Sequence, residues 1–230
     1  MNNTTLESFE KYREEKRKEY KLEEKDLIKA RKKLANISKD ENKSKELIEL
    51  LKNKNFRDDV ESIITLIFEG ADVNYKEETK GDFPLLICAR KGYSKVFYTL
   101  LRMGANVNLS NNYLTTATMA AARYGNENML EMLIILGADV NAKCMDGDTA
   151  LISARRHAQT GCILKLINAQ AHINAKNLSN TTVMDICGDL NFKKILIDDV
   201  KTNKKKFVTN QDALNLIEEA KEKFNKIKGN

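Results

Sequence analysis

Tryptophan is absent from the 230-residue sequence, and proline occurs only once. Collagen-like chains and Pro-rich linkers are therefore excluded, because both need many prolines. No apolar run approaches the ~18 residues of a membrane-spanning helix, and the first residues contain no hydrophobic segment typical of a secretory signal. These absences predict a soluble, cytoplasmic protein, or one exported by a route that leaves no such signal.

Cysteine and histidine are also scarce, and their spacing matches no metal-binding or dithiol motif. None of the four cysteines lies in a CxxC pair or near a histidine at metal-ligand spacing, so we predict reduced thiols and no metal site. Phosphate-binding glycine loops, zinc-protease motifs and nucleophile elbows are missing as well. We therefore predict a protein that is not an enzyme and binds no cofactor.

Positive charge is concentrated at the two ends of the chain. Residues 1–39 hold 12 Lys/Arg against 8 Asp/Glu, and residues 193–230 hold 10 against 6, so each end carries a net +4. The middle, 40–192, has 17 against 19 and is slightly acidic. The usual inference from basicity to nucleic-acid binding therefore applies only to the ends.

The sequence contains an internal repeat with a period of 33 or 34 residues. Gly-Ala-Asp-Val-Asn at 70–74 recurs at 137–141, with Asn for Asp at 104–108, and in degraded form as Gln-Ala-His-Ile-Asn at 170–174. An apolar pair precedes each of these anchors by three or four residues, and a helix-start signal follows each final Asn by eight or nine. Because one helix pair cannot bury its own apolar face, such units must stack.

The helix-start signals have a physical basis. Thr116, Thr149 and Thr182 are suited to N-cap the first helix of a unit, and Pro84 is suited to its first turn, where a missing N–H costs nothing. Cys88, Cys187 and Cys162 fall at small or apolar helix positions and are predicted to be buried. Cys144 falls outside the helices, as a loop residue that could be exposed and reactive.

This pattern resembles the ankyrin repeat over about residues 45–200, although the His of the family's TPLH motif is replaced in every unit and the fourth anchor lacks Gly. The resemblance implies an all-α ankyrin-repeat solenoid, in which β-hairpin-like fingers join helix-turn-helix units. We expect a charged N-terminal helical extension at 1–39, a repeat domain at 40–200 and a C-terminal capping helix at 201–230. The expected units are about 45–74, 75–108, 109–141, 142–174 and 175–200.

The two extensions leave alternatives open. Residues 4–35 favour an exposed helix that leans on the first repeat, and a binding arm or a coiled coil are the alternatives. Residues 36–45 are interpreted as the linker into the first repeat. The apolar stripe at 213–227 favours a cap on the last repeat, over a helix bound in a partner's groove or a helix on a membrane surface.

The resemblance also implies the function, which is binding of a protein partner through the finger tips and the concave face. We expect a monomeric scaffold or adaptor, or a host-directed effector in the host cytosol; nucleic-acid or anionic-surface binding by the basic ends is the alternative. The family's surface corresponds here to Tyr75, Thr79, Lys80, Asp82, Asn112, Tyr113, Thr115, Met145, Asp146, Asp148, Leu178, Ser179 and Thr181.

A column of arginines at 33-residue spacing extends this candidate surface. Arg90, Arg123 and Arg156 close successive first helices, beside Lys91, Tyr124 and His157. Stacking would align them as a basic ladder for an acidic partner, although cations are favoured at any helix C-terminus. The anchor asparagines are expected to hold the hairpins by side-chain hydrogen bonds, and the family alternative is hydroxylation of these side chains.

Overall fold

Stacked helix pairs build the described part of the protein, as the repeat predicted. The computed structural model describes residues 11, 13–15, 32 and 36–186, and within these residues it contains helices and one isolated β-bridge but no sheet. The helices are α1 (Glu41–Lys52), α2 (Val60–Phe68), α3 (Pro84–Lys91), α4 (Ser94–Arg102), α5 (Ala117–Tyr124), α6 (Glu127–Ile135), α7 (Ala150–Arg156) and α8 (Thr160–Asn168).

Each unit consists of an odd-numbered first helix and an even-numbered second helix. A finger follows each anchor: the first finger spans 75–83, the second 109–116, the third 142–149 and the fourth 175–182. The all-α solenoid predicted from the sequence is therefore confirmed over the described units. The predicted C-terminal helix, Cys187 and most of the fifth unit lie outside the described residues.

The first helices of successive units pack directly against one another, and α5 contacts both α3 and α7. Every residue of α5 from Ala117 to Ala122 is buried, and small side chains allow the neighbouring helices to approach closely. Cys88 and Cys162 are buried in the same core, as their register predicted. Burial raises the pKa of both thiols, that of Cys162 to about 12.

The helix starts agree with the residue types that predicted them. Thr116 and Thr149 N-cap α5 and α7, and each hydroxyl accepts a hydrogen bond of 3.3 Å from a backbone N–H three residues later. Pro84 occupies the first turn of α3. Thr182 instead donates from its N–H and its hydroxyl to Asp185, and residues 183–186 form turns.

Residues 36–44 close the N-terminal end of the stack, and here the sequence interpretation needs a correction. The predicted linker ended at 45, but α1 begins at Glu41 because Asp40 N-caps it through the N–H groups of Asn42 and Lys43. Ser44 Oγ accepts the Asp72 N–H at 2.9 Å. In the following units an anchor asparagine makes the equivalent bond, so Ser44 has the role of that asparagine at the first anchor.

One described residue of the N-terminal extension contacts the repeats away from the first unit. Its few described residues are helical, and Arg13 Nε donates to the Ile135 carbonyl at 3.3 Å, at the end of α6. A Cβ on Gly137 would lie 2.7 Å from the Arg13 guanidinium. This contact is with the third unit, whereas the sequence predicted packing on the first. The end of a helix attracts a cation because its last carbonyls lack intrahelical partners.

The anchor asparagines hold successive units together. Asn74 Oδ1 accepts the Asn106 N–H, Asn108 Oδ1 accepts the Asp139 N–H, and Asn141 Oδ1 accepts the His172 N–H, at 2.8, 2.8 and 2.7 Å. Each bond joins one anchor to the next anchor along the chain. The expected side-chain hydrogen bonds are therefore present, and they link neighbouring units.

Candidate partner-binding surface

The four fingers form one continuous edge. Backbone N–H groups of Asn112, Met145 and Leu178 donate at 3.0 Å to carbonyls of the preceding finger, at Lys80, Tyr113 and Asp146 respectively. These bonds fix the spacing of the finger tips. Side chains at the tips are therefore held in a row, as they would be across neighbouring strands of a sheet.

Large apolar side chains are exposed along this row. Tyr113, Met145 and Leu178 have 52%, 57% and 80% of their surface exposed, and Leu114 is exposed beside them. The sequence analysis included the first three and missed Leu114. An exposed apolar row of this kind is unusual, because burial of such side chains is the main favourable term in folding.

Leu114 also has an unusual backbone conformation. Its φ is +56°, in the left-handed region that favours glycine, and glycine occupies the equivalent turn positions of the first and third fingers, Gly81 and Gly147. A left-handed conformation at a bulky residue is an outlier. The 33-residue spacing from Gly81 and Gly147 is the signal from which this exposed turn residue could have been found.

The residues assigned to the finger surface differ in their exposure. Thr79, Lys80, Asn112 and Asp146 are exposed, and the Asn112 side-chain amide donates to the Thr79 carbonyl at 3.2 Å. Thr115 is half-buried at the base of the second finger. Tyr75, which was also assigned to this surface, is half-buried and packs against the core.

Asp82 and Asp148 require the main correction. Both were assigned to the exposed finger surface, yet they are only 4% and 7% exposed. Asp82 accepts from Arg90 Nη1 at 2.5 Å and from Asn111 Nδ2 at 2.8 Å. Its carboxylate thus joins the end of α3 to the second finger, and this three-residue contact is an Arg–Asp–Asn clamp.

A second clamp repeats this arrangement two units later. Asp148 accepts from Arg156 Nη1 at 2.5 Å and from Asn177 Nδ2 at 2.8 Å. Asn177 also accepts the Thr181 N–H within its own finger, as Asn111 accepts those of Tyr113 and Thr115. The predicted basic ladder is therefore incomplete, because Arg90 and Arg156 are each paired with a carboxylate of the protein itself.

The central interface, between the second and third fingers, has no such clamp. Thr115 stands at the position of the two aspartates, and Cys144 stands at the position of the two asparagines. Arg123, at the end of α5, is exposed, and its guanidinium carbon lies 5.9 Å from the centroid of the Tyr124 ring. Within the part of the chain that the structure describes, Arg123 has no carboxylate partner.

Lys91 and His157, beside the arginine column, have different surroundings. Lys91 Nζ donates to the Lys52 carbonyl at 2.9 Å, at the end of α1. His157 is exposed, with Nδ1 2.9 Å from the Ser153 carbonyl. Lys91 therefore also contributes to joining the first and second units.

The two clamps follow a period of 66 residues that the sequence analysis did not identify. Asp82 and Asp148 are 66 residues apart, as are Asn111 and Asn177. Comparing alternate units instead of adjacent ones would have revealed both pairs. Their function as contacts between fingers depends on distances that only the folded structure shows.

Among the described residues there is no group of three or more His, Cys, Asp or Glu side chains placed to hold a metal ion. None of the helices there is both long and apolar enough to cross a membrane.

Comparison with known families agrees with the geometry. Residues 41–144 match a family model described as ankyrin repeats (3 copies), and they are accordingly ankyrin repeats. The helix pair of α7 and α8, beyond the matched residues, continues the same arrangement. Ankyrin repeats are generally protein–protein interaction modules and are typically non-enzymatic. No curated protein matches the chain.

Proposed function

We propose that this chain, whose residues 41–144 are ankyrin repeats, binds a protein partner through its finger tips and the adjoining end of α5. The observation that carries this proposal is the exposed apolar row of Tyr113, Leu114, Met145 and Leu178 on three consecutive fingers. A host-directed effector role would be one case of this function, and the identity of the partner would decide it.

The distribution of exposed apolar side chains supports this surface. In the described part of the chain, the exposed large hydrophobic residues outside the row are Tyr124, at the end of α5, and Phe68, on α2. Most of the exposed large apolar side chains therefore lie at the fingers. Contiguous exposed apolar surface marks interaction sites, and tyrosine is enriched among the residues that dominate binding energy.

The surface is also held in place before a partner arrives. Backbone hydrogen bonds between fingers fix the tips, and the two clamps attach the first finger to the second and the third to the fourth. A preorganised surface loses less conformational entropy on binding, so more of its contact energy contributes to affinity. This favours recognition of a folded or extended protein segment along the row.

The test uses affinity capture from lysate of the source cells, with quantitative mass spectrometry. The finger variant combines Tyr113→Ser, Met145→Ser and Leu178→Ser, and the control is Phe68→Ser, which removes an exposed apolar side chain outside the fingers. We expect a partner that the wild type and the control both capture and that the finger variant loses by tenfold or more. Melting curves of all three proteins show whether the fold is retained.

Two results would contradict the proposal. One is a partner that the folded finger variant retains at the wild-type level. The other is equal loss in the finger variant and in the Phe68→Ser control, because binding would then depend on general surface hydrophobicity and not on the fingers.

A further inference from the structure

We infer that the protein partner presents an acidic side chain, and that its carboxylate docks on Arg123 at the central interface. The inference rests on the proposed function, since it specifies the chemistry of the partner for the same surface. It follows from the contrast between the central interface and the two clamped finger pairs on either side of it.

The clamps show where a carboxylate is needed. Arg90 Nη1 lies 2.5 Å from Asp82 Oδ2, and Arg156 Nη1 lies 2.5 Å from Asp148 Oδ2. In both pairs the two residues are eight positions apart in the sequence. The corresponding pair in the third unit is Thr115 and Arg123. By the same register Thr115 occupies the position of Asp82 and Asp148 at the base of its finger, but it brings no negative charge.

The charge of Arg123 is consequently uncompensated by the described residues. Its guanidinium is exposed beside the Tyr124 ring, and no carboxylate of the described residues is paired with it. An arginine fork matches a carboxylate geometrically and can bind it with two parallel hydrogen bonds. At the two neighbouring interfaces the chain itself supplies a carboxylate to the arginine. At the central interface a carboxylate of the partner would do so.

The apolar row indicates where the rest of the partner segment would lie. Tyr113 and Met145 meet across the central interface through the Met145 N–H and the Tyr113 carbonyl, 3.0 Å apart. Both side chains are exposed, on the two fingers that meet at the central interface. The occupant that fits is therefore an acidic peptide segment with an aliphatic or aromatic residue close to its Asp or Glu.

The experiment uses the full chain and a displayed library of random 12-residue peptides as the probe. The affinity of an enriched peptide is then measured by fluorescence anisotropy. Arg123→Gln removes the charge, Thr115→Asp supplies an internal carboxylate to Arg123, and Arg102→Gln, at the end of α4, is the matched control. Melting curves accompany every variant, and Arg123→Gln carries the test if Thr115→Asp does not fold.

We expect the enriched peptides to contain Asp or Glu. Affinity should fall about tenfold in Arg123→Gln and in Thr115→Asp and stay unchanged in Arg102→Gln, as for loss of one charge-assisted hydrogen-bonded pair. Replacing the peptide's acidic residue by its amide should also lower its affinity for the wild type about tenfold. The same replacement should leave the affinity for Arg123→Gln almost unchanged, since the two changes remove the same interaction.

The alternative results separate this inference from the proposed function. Enriched peptides without acidic residues, or independent effects of the peptide amide and Arg123→Gln, would overturn the inference. The proposed function would still stand if the same peptides lost affinity for the finger variant. Failure of any peptide to be enriched, or full binding to the finger variant, would count against both.

Discussion

The clamp at the third finger provides the most direct test of the structure. In Asp148→Ala the Asn177 amide loses its acceptor while it stays buried, and leaving such a group without a partner costs about 1–3 kcal/mol. The Arg156 side chain is 41% exposed and can be resolvated, so the ion pair itself adds less than about 1 kcal/mol. We expect the free energy of unfolding to fall by about 2 kcal/mol.

Equilibrium unfolding in urea, followed by far-UV circular dichroism, measures this loss. Asp146→Ala is the matched control, because Asp146 lies in the same finger but is exposed, and it should change stability by less than about 0.5 kcal/mol. Asp148→Asn should cost less than Asp148→Ala, since its amide oxygen can still accept from Asn177. Hydrogen exchange at Thr181, whose N–H donates to Asn177, should report the loss locally.

The reasoning would be refuted if Asp148→Ala and Asp146→Ala destabilised the protein equally. It would also be refuted if Asp148→Ala left hydrogen exchange in the fourth finger unchanged. Either result would mean that the carboxylate of Asp148 contributes little to joining the third and fourth fingers, and the contrast with the central interface would then lose its energetic basis.

Three further predictions concern separate features. Leu114→Gly should stabilise the protein by about 0.5–1 kcal/mol in urea, because relief of left-handed strain outweighs the added chain entropy; a lower midpoint would contradict this. Asn108→Ala should cost about 1 kcal/mol through its lost bond to the Asp139 N–H, and an effect near zero would argue against the asparagine links. Iodoacetamide at pH 8, with labels located by mass spectrometry, should modify Cys144 much faster than Cys88 or Cys162. Their raised pKa keeps both buried thiols protonated until the pH approaches the pKa, about 12 for Cys162, so equal labelling would contradict their burial.

The fold could be read from the sequence because its signals are local and repeated. The four anchors at 33- or 34-residue spacing, the threonine N-caps and Pro84 specify helix boundaries through interactions within a few residues. The start of α1 was misplaced because the first unit is degenerate. Its N-cap, Asp40, lies within the charged segment that was interpreted as a linker.

The candidate surface was less predictable, because burial depends on the neighbouring units. Asp82 and Asp146 are both acidic finger residues in the sequence, yet the first is buried in a clamp and the second is exposed. Tyr75 and Tyr113 differ in the same way, since Tyr75 packs against the core. No local pattern separates the members of these pairs.

The sequence by itself determined the repeat, the helix boundaries of its regular units and the burial of Cys88 and Cys162, because periodicity and local hydrogen bonding specify them. Only the tertiary structure decided which charges are compensated. Side chains 29 residues apart, such as Asp82 and Asn111, become hydrogen-bonded partners only when the units stack. That stacking pairs Arg90 and Arg156 within the protein and leaves Arg123 exposed at the central interface.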